Sequence, residues 1–114
     1  MRINDLTAKF TVLSMNNGDE ELKNAYTGDL LSDVMGNAPS DSVLITIQAH
    51  KNTVAVASLA GIKAIIICNN RSVPVDMQSA ARDEGISIFT TNESQFYASY
   101  TVATLLGKVD AHKD

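Results

Sequence analysis

Val43-Leu44-Ile45-Thr46-Ile47, Ala64-Ile65-Ile66-Ile67-Cys68 and Ile86-Ser87-Ile88-Phe89 are three short apolar runs, rich in β-branched residues, at nearly constant spacing. Their first residues stand 21 and 22 positions apart, about the length of one strand, one loop and one short helix. That spacing predicts a βαβαβ core of class α/β, with a largely parallel sheet flanked by helices. A strand that is apolar at nearly every position is expected to be covered on both faces. Parallel strands joined by helical crossovers carry the loops after their carboxyl ends along one edge, where open α/β sheets bind ligands. The intervening segments share no sequence pattern, so the spacing reflects ordinary βα architecture and not a solenoid repeat.

Outward from these runs, Met1–Lys9 is expected to form a short helix with Ile3 and Leu6 inward, followed by a strand near Phe10–Ser14. Met15-Asn16-Asn17-Gly18 is a turn, since Asn and Gly tolerate positive φ. Structure resumes near Asn24–Gly28. Asp29 is placed to cap a helix carrying Leu30, Leu31, Val34 and Met35 on one stripe, which Gly36-Asn37-Ala38-Pro39 stops. Asn52 is positioned to cap the helix after the first apolar run, and Gly61 to end it. Pro74 suits the first position of the next helix, closed by Gly85. Asn92 and Gln95 have the spacing of a capping box for a final helix carrying Phe96, Tyr100, Ala103 and Leu106, ended by Gly107. One domain over residues 1–107 and a flexible tail over 108–114 follow.

Composition narrows the function classes. Nine basic against thirteen acidic residues leave a net charge of −4, with no basic cluster of the kind nucleic acid requires. Nothing approaches the roughly 20 consecutive apolar residues of a membrane helix, and no basic start leads into an apolar run, so a cytoplasmic location is expected. The single cysteine, Cys68, has no partner for an internal disulfide and reads as a small buried core residue. His50 and His112 stand far apart without a Cys–His or HExxH pattern, so neither a metal nor a cofactor is expected.

The candidate site lies in three strand-end loops. Gln48, His50, Lys51, Asn52 and Thr53 follow the first run, leaving a buried strand and entering a helix whose first N–H groups can receive an anion, with Lys51 adding charge. Asn69, Asn70 and Arg71 follow the second run, and Thr90, Thr91 and Asn92 the third. In a parallel sheet all three groups share one edge, offering donors, acceptors and two cations but no evident reacting group. Asp29 and Asp33 read as a helix cap and an exposed carboxylate, and no residue is assigned as catalytic. Tyr97 and Tyr100 are expected in the last helix's core or at a subunit face.

Tyr26-Thr27-Gly28-Asp29-Leu30-Leu31-Ser32-Asp33-Val34-Met35 and the segment Leu44–Ala57, with ITIQAHKN at its centre, resemble the DRTGG domain family, especially small standalone members found beside iron-only hydrogenase maturation systems. The resemblance spans roughly Met1 to Leu106. It implies an α/β fold similar to the regulatory amino-terminal domain of HPr kinase/phosphorylase. DRTGG domains of related regulatory proteins occur with nucleotide-sensing CBS modules, which makes a nucleotide an expected ligand class. The family's namesake string is absent, since the corresponding regions read QAHKN and IIICNN. Some such members are labelled serine kinases, but no GxxxxGK[ST] pattern occurs here, so kinase activity does not carry over.

The resulting expectation is a non-catalytic regulatory or ligand-sensing module that forms a homodimer. It binds a small anionic metabolite or a partner protein, and is linked through the resemblance to iron-only hydrogenase function. A small enzyme using His50 and Lys51, or a structural adaptor, is the alternative. An apolar surplus on the last helix, from Phe96, Tyr97, Tyr100 and Leu105, marks it as the expected subunit contact.

Overall fold

The computed structural model describes residues 1–110. Ile3–Ala8 forms a 3₁₀ helix that buries Ile3 and Leu6. It precedes β1 (Thr11–Ser14) and β2 (Asn24–Thr27), and then α1 (Leu31–Asn37), β3 (Ser42–Thr46), α2 (Lys51–Ala60), β4 (Ile62–Ile67), α3 (Val75–Glu84), β5 (Ser87–Thr90) and α4 (Gln95–Leu105). The expected core is present and extended by one unit, because β2 also joins it through α1.

The five strands form one sheet in the order β1-β5-β4-β3-β2. β2, β3, β4 and β5 are mutually parallel neighbours, and only β1 runs antiparallel, beside β5. From β2 to β5 each crossover moves one strand in the same direction. Crossovers of one hand then put α1, α2 and α3 on the same face. There Val34, Val54, Ala57, Met77 and Ala81 pack on Leu44, Ile65, Ile67 and Ile88.

The opposite face is covered by the 3₁₀ helix and α4, whose Ile3, Leu6, Ala98 and Val102 meet Val43, Ile45, Ile66 and Phe89. Successive residues over Val43–Ile45 and Ala64–Cys68 alternate between the two clusters, which is why these stretches are apolar at every position. Each fully buried Ile or Leu contributes about 1.5–3 kcal/mol by leaving water.

Several local expectations are corrected. Asp29 does not cap α1; its N-cap is Leu30, which makes no side-chain cap. Asp29 is drawn instead to the end of β3. Gly36 and Asn37 lie inside α1, which ends against Ala38 and Pro39. Asn52 lies within α2, whose N-cap is His50. Pro74 is itself the N-cap of α3. Ser94, not Asn92, caps α4, accepting from the Tyr97 N–H at 3.5 Å. Lys108–Asp110 form no helix or strand, and the rest of the expected tail, with His112, lies outside the described residues. No helix among the described residues is long and apolar enough to cross a membrane.

Candidate functional site

The parallel strands β2 to β5 bring the segments after Thr27, Thr46, Ile67 and Thr90 to one edge of the sheet. The antiparallel β1 adds its own beginning, with Thr11 opposite Thr90. After β4 the chain turns to α3 on one face, whereas after β5 it turns to α4 on the other. Diverging connections of this kind open a crevice between the two strand ends, the position at which open α/β sheets bind ligands.

Asn69 and Asn70 make the turn out of β4 with φ of 62° and 54°. Asn is among the few side chains that tolerate this left-handed region, and the turn is held from across the crevice. The Asn69 N–H donates to the Glu93 carbonyl at 2.9 Å, and the Asn70 N–H to the Thr91 carbonyl at 3.0 Å. These bonds tie the two loops together. Beyond them a cleft of about 390 Å³ remains toward β1, lined by Lys9, Thr11, Asn70, Thr90, Thr91, Asn92 and Glu93.

Toward β2 the same edge is filled by a polar network. The Asp29 carboxylate accepts from the Thr46 hydroxyl at 2.8 Å, the Ile47 N–H at 2.9 Å and the Gln95 side-chain amide at 3.0 Å. Gln48 donates its side-chain amide to the Asp29 carbonyl at 2.9 Å, and its own carbonyl accepts from the Thr53 hydroxyl at 2.8 Å. His50 Nε2 lies 3.1 Å from the Gln48 side-chain oxygen. Burial pushes the Asp29 carboxyl up, but the bonds from Ile47, Thr46 and Gln95, with the Arg71 charge, outweigh it and hold it below the usual aspartate value. An ionised carboxylate therefore sits at the centre of this half of the edge.

The residues read from sequence thus fall into three groups, and Asn69 and Arg71 stand apart. Asn70, Thr90, Thr91 and Asn92 meet in the cleft. Gln48, His50 and Thr53 join the Asp29 network, where Thr53 is fully buried. Lys51 and Asn52 line a separate groove of about 290 Å³ between α2 and α3, beside Ala80 and Asp83. Asn69 shapes the turn through its backbone, and Arg71 acts on Asp29 through its charge.

Sequence reasoning missed Lys9 and Thr11, because the placement of β1 beside β5 is a long-range pairing with no local signature. It missed Gln95 as an edge residue because its spacing from Asn92 suits a capping box equally well. Cys68, at the end of the β4 run, is fully buried, and burial followed by the Asp29 and Glu93 charges pushes its thiol up to about 11. It is protonated at neutral pH and packs as an apolar side chain. At the opposite edge a cavity of about 240 Å³ contains Lys63, already paired with Glu20 at 3.4 Å and Asp41 at 3.6 Å.

No family model and no curated protein matches the sequence. Among solved structures, the chain is similar to the CBS and DRTGG domains of the regulatory region of Clostridium perfringens pyrophosphatase, complexed with its activator diadenosine tetraphosphate. The superposition has a TM-score of 0.66 and covers 85% of this chain. The fold is DRTGG-like. At 14% identity the likeness speaks for fold alone, and the chain spans 43% of that regulatory chain.

Proposed function

We propose that this chain is a non-catalytic ligand-sensing module whose cleft between the end of β5 and the start of β1 takes a small anionic metabolite, with a nucleotide as the favoured class. The observation that carries this reading is the cleft's position at the carboxyl edge of the sheet, beside the point where α3 and α4 diverge, together with its polar lining. Lys9 supplies the cation for a phosphate, Glu93 an acceptor for a hydroxyl or amino group, and Asn70, Thr90, Thr91 and Asn92 neutral hydrogen-bonding groups. Nothing in that lining is a nucleophile beside a base, which favours binding over turnover. The nucleotide class draws support from the activator bound by the similar regulatory region. A role beside iron-only hydrogenase maturation, and a likeness to the HPr kinase regulatory domain, belong to the same proposal and rest on the sequence resemblance.

Thermal-shift measurements with ATP, AMP, adenosine and inorganic phosphate, followed by calorimetry, test the reading, since a ligand that binds only the folded state raises its stability. The phosphorylated ligands should stabilise the protein and adenosine should not. Lys9→Ala should weaken binding about fivefold at low salt, the ~1 kcal/mol of a partly exposed ion pair. Lys51→Ala, in its separate groove, should leave it unchanged. The proposal fails if none of ATP, AMP and inorganic phosphate binds at millimolar concentration, or if Lys51→Ala is the substitution that weakens binding.

A further inference from the structure

α4 carries an apolar surplus that the fold does not use. Its Ala98 and Val102 are fully buried against the sheet, while Phe96, Tyr97 and Tyr100 stand 75%, 59% and 60% exposed. Phe96 and Tyr97 already pack edge to face, their ring centres 5.1 Å apart. Two polar ties hold the helix: Gln95 binds Asp29, and the Ser99 hydroxyl lies 2.6 Å from that of Thr27 on the edge strand β2.

We infer that this face is a self-association surface, and that its occupant is the same face of a second copy across a two-fold axis. Charge selects that partner. None of the eleven residues Gln95–Leu105 is charged, whereas α3 over ten residues carries Asp76, Arg82, Asp83 and Glu84. A partner recognised by opposite charge finds nothing to pair with on α4. A second copy, repelled elsewhere by a net charge of −4, meets no like charge along this helix. A two-fold contact sets a patch against itself, and aromatic rings that pack edge to face are self-complementary in that way.

The three exposed aromatics offer roughly 400 Å² per copy, about half of the ~800 Å² that each partner of a stable pair buries. The polar residues Ser99 and Thr104 and the β2 edge adjoin them and extend the area. Tyrosine suits such a place because its ring is buried while its hydroxyl reaches water or the partner at the rim.

Light scattering and sedimentation over a dilution series from millimolar to micromolar protein test the inference. The wild type should show twice the chain mass at the upper end. Tyr97→Glu and Tyr100→Glu should each weaken association at least tenfold, because a carboxylate in a two-fold contact faces its own image. Leu59→Glu, at an equally exposed apolar position on α2, should leave association unchanged. All three positions are exposed, so the variants should melt as the wild type does. If a glutamate variant fails that control, Tyr97→Ser and Tyr100→Ser replace it with the same expected direction. A monomeric wild type at millimolar concentration overturns the inference, as does a dimer that survives both tyrosine substitutions or that Leu59→Glu dissociates equally.

Discussion

Asp29 receives three donors from two other elements, so its ionised form is favoured by the native structure and not by the unfolded chain. A carboxyl whose folded pKa lies below its unfolded value stabilises the protein above the unfolded pKa, and that contribution is lost as pH falls through the folded value. Acid should therefore weaken the wild type below about pH 4, the ordinary aspartate range. Asp29→Ala leaves the Thr46 hydroxyl and the Ile47 N–H without their partner and should cost about 1–3 kcal/mol at pH 7. Asp29→Asn keeps the oxygen that faces Thr46 and Ile47, and rotation of the Gln95 amide lets that side chain accept from the new NH₂ group. Urea unfolding at pH 7 and pH 3 should thus find Asp29→Asn milder than Asp29→Ala and less sensitive to acid than the wild type. Equal acid sensitivity in Asp29→Asn and the wild type would remove Asp29 from the acid response.

At the scale of elements, the ends of α2 and α3 separate two contributions that sequence alone combines. Gly61 and Gly85 both end helices in the left-handed region, at φ of 76° and 67°. A side chain at either costs about 1–2 kcal/mol for the backbone conformation. A Cβ at Gly61 would also lie 3.1 Å from the Ser40 Cβ, whereas none of the described neighbours comes within 4 Å at Gly85. Gly61→Ala should therefore lower the urea midpoint further than Gly85→Ala, and the reverse order would mean that Ser40 moves freely. Both helix ends were legible because glycine after a periodic apolar segment is a local signal. The start of α2 was not, because His50 serves as its N-cap without a side-chain capping bond, whereas Pro74 marked the start of α3 to within one residue. Asp29 was misassigned for a related reason: a carboxylate before a helix looks the same whether it caps that helix or reaches a neighbouring strand.

For the whole molecule, the absence of a P-loop string and the lining of the cleft lead to one expectation about chemistry. Incubation with ATP, magnesium and candidate acceptor proteins should give no phosphate transfer above a denatured control. Turnover that follows the protein through successive columns and disappears in Lys9→Ala would replace the sensing proposal with an enzymatic one. The sequence by itself determined the class and the central strands, since β3, β4 and β5 lie within two residues of the apolar runs that predicted them. It did so because a strand buried on both faces must be apolar at nearly every position, a requirement each segment meets alone. It also determined that the loops after those strands share an edge. Tertiary structure alone decided which of the loop residues meet. Lys9 and Thr11 reach the cleft through the pairing of β1 with β5, and Gln95 reaches Asp29 across 66 residues of chain. Such contacts depend on where whole elements pack, and no residue type or local spacing encodes them.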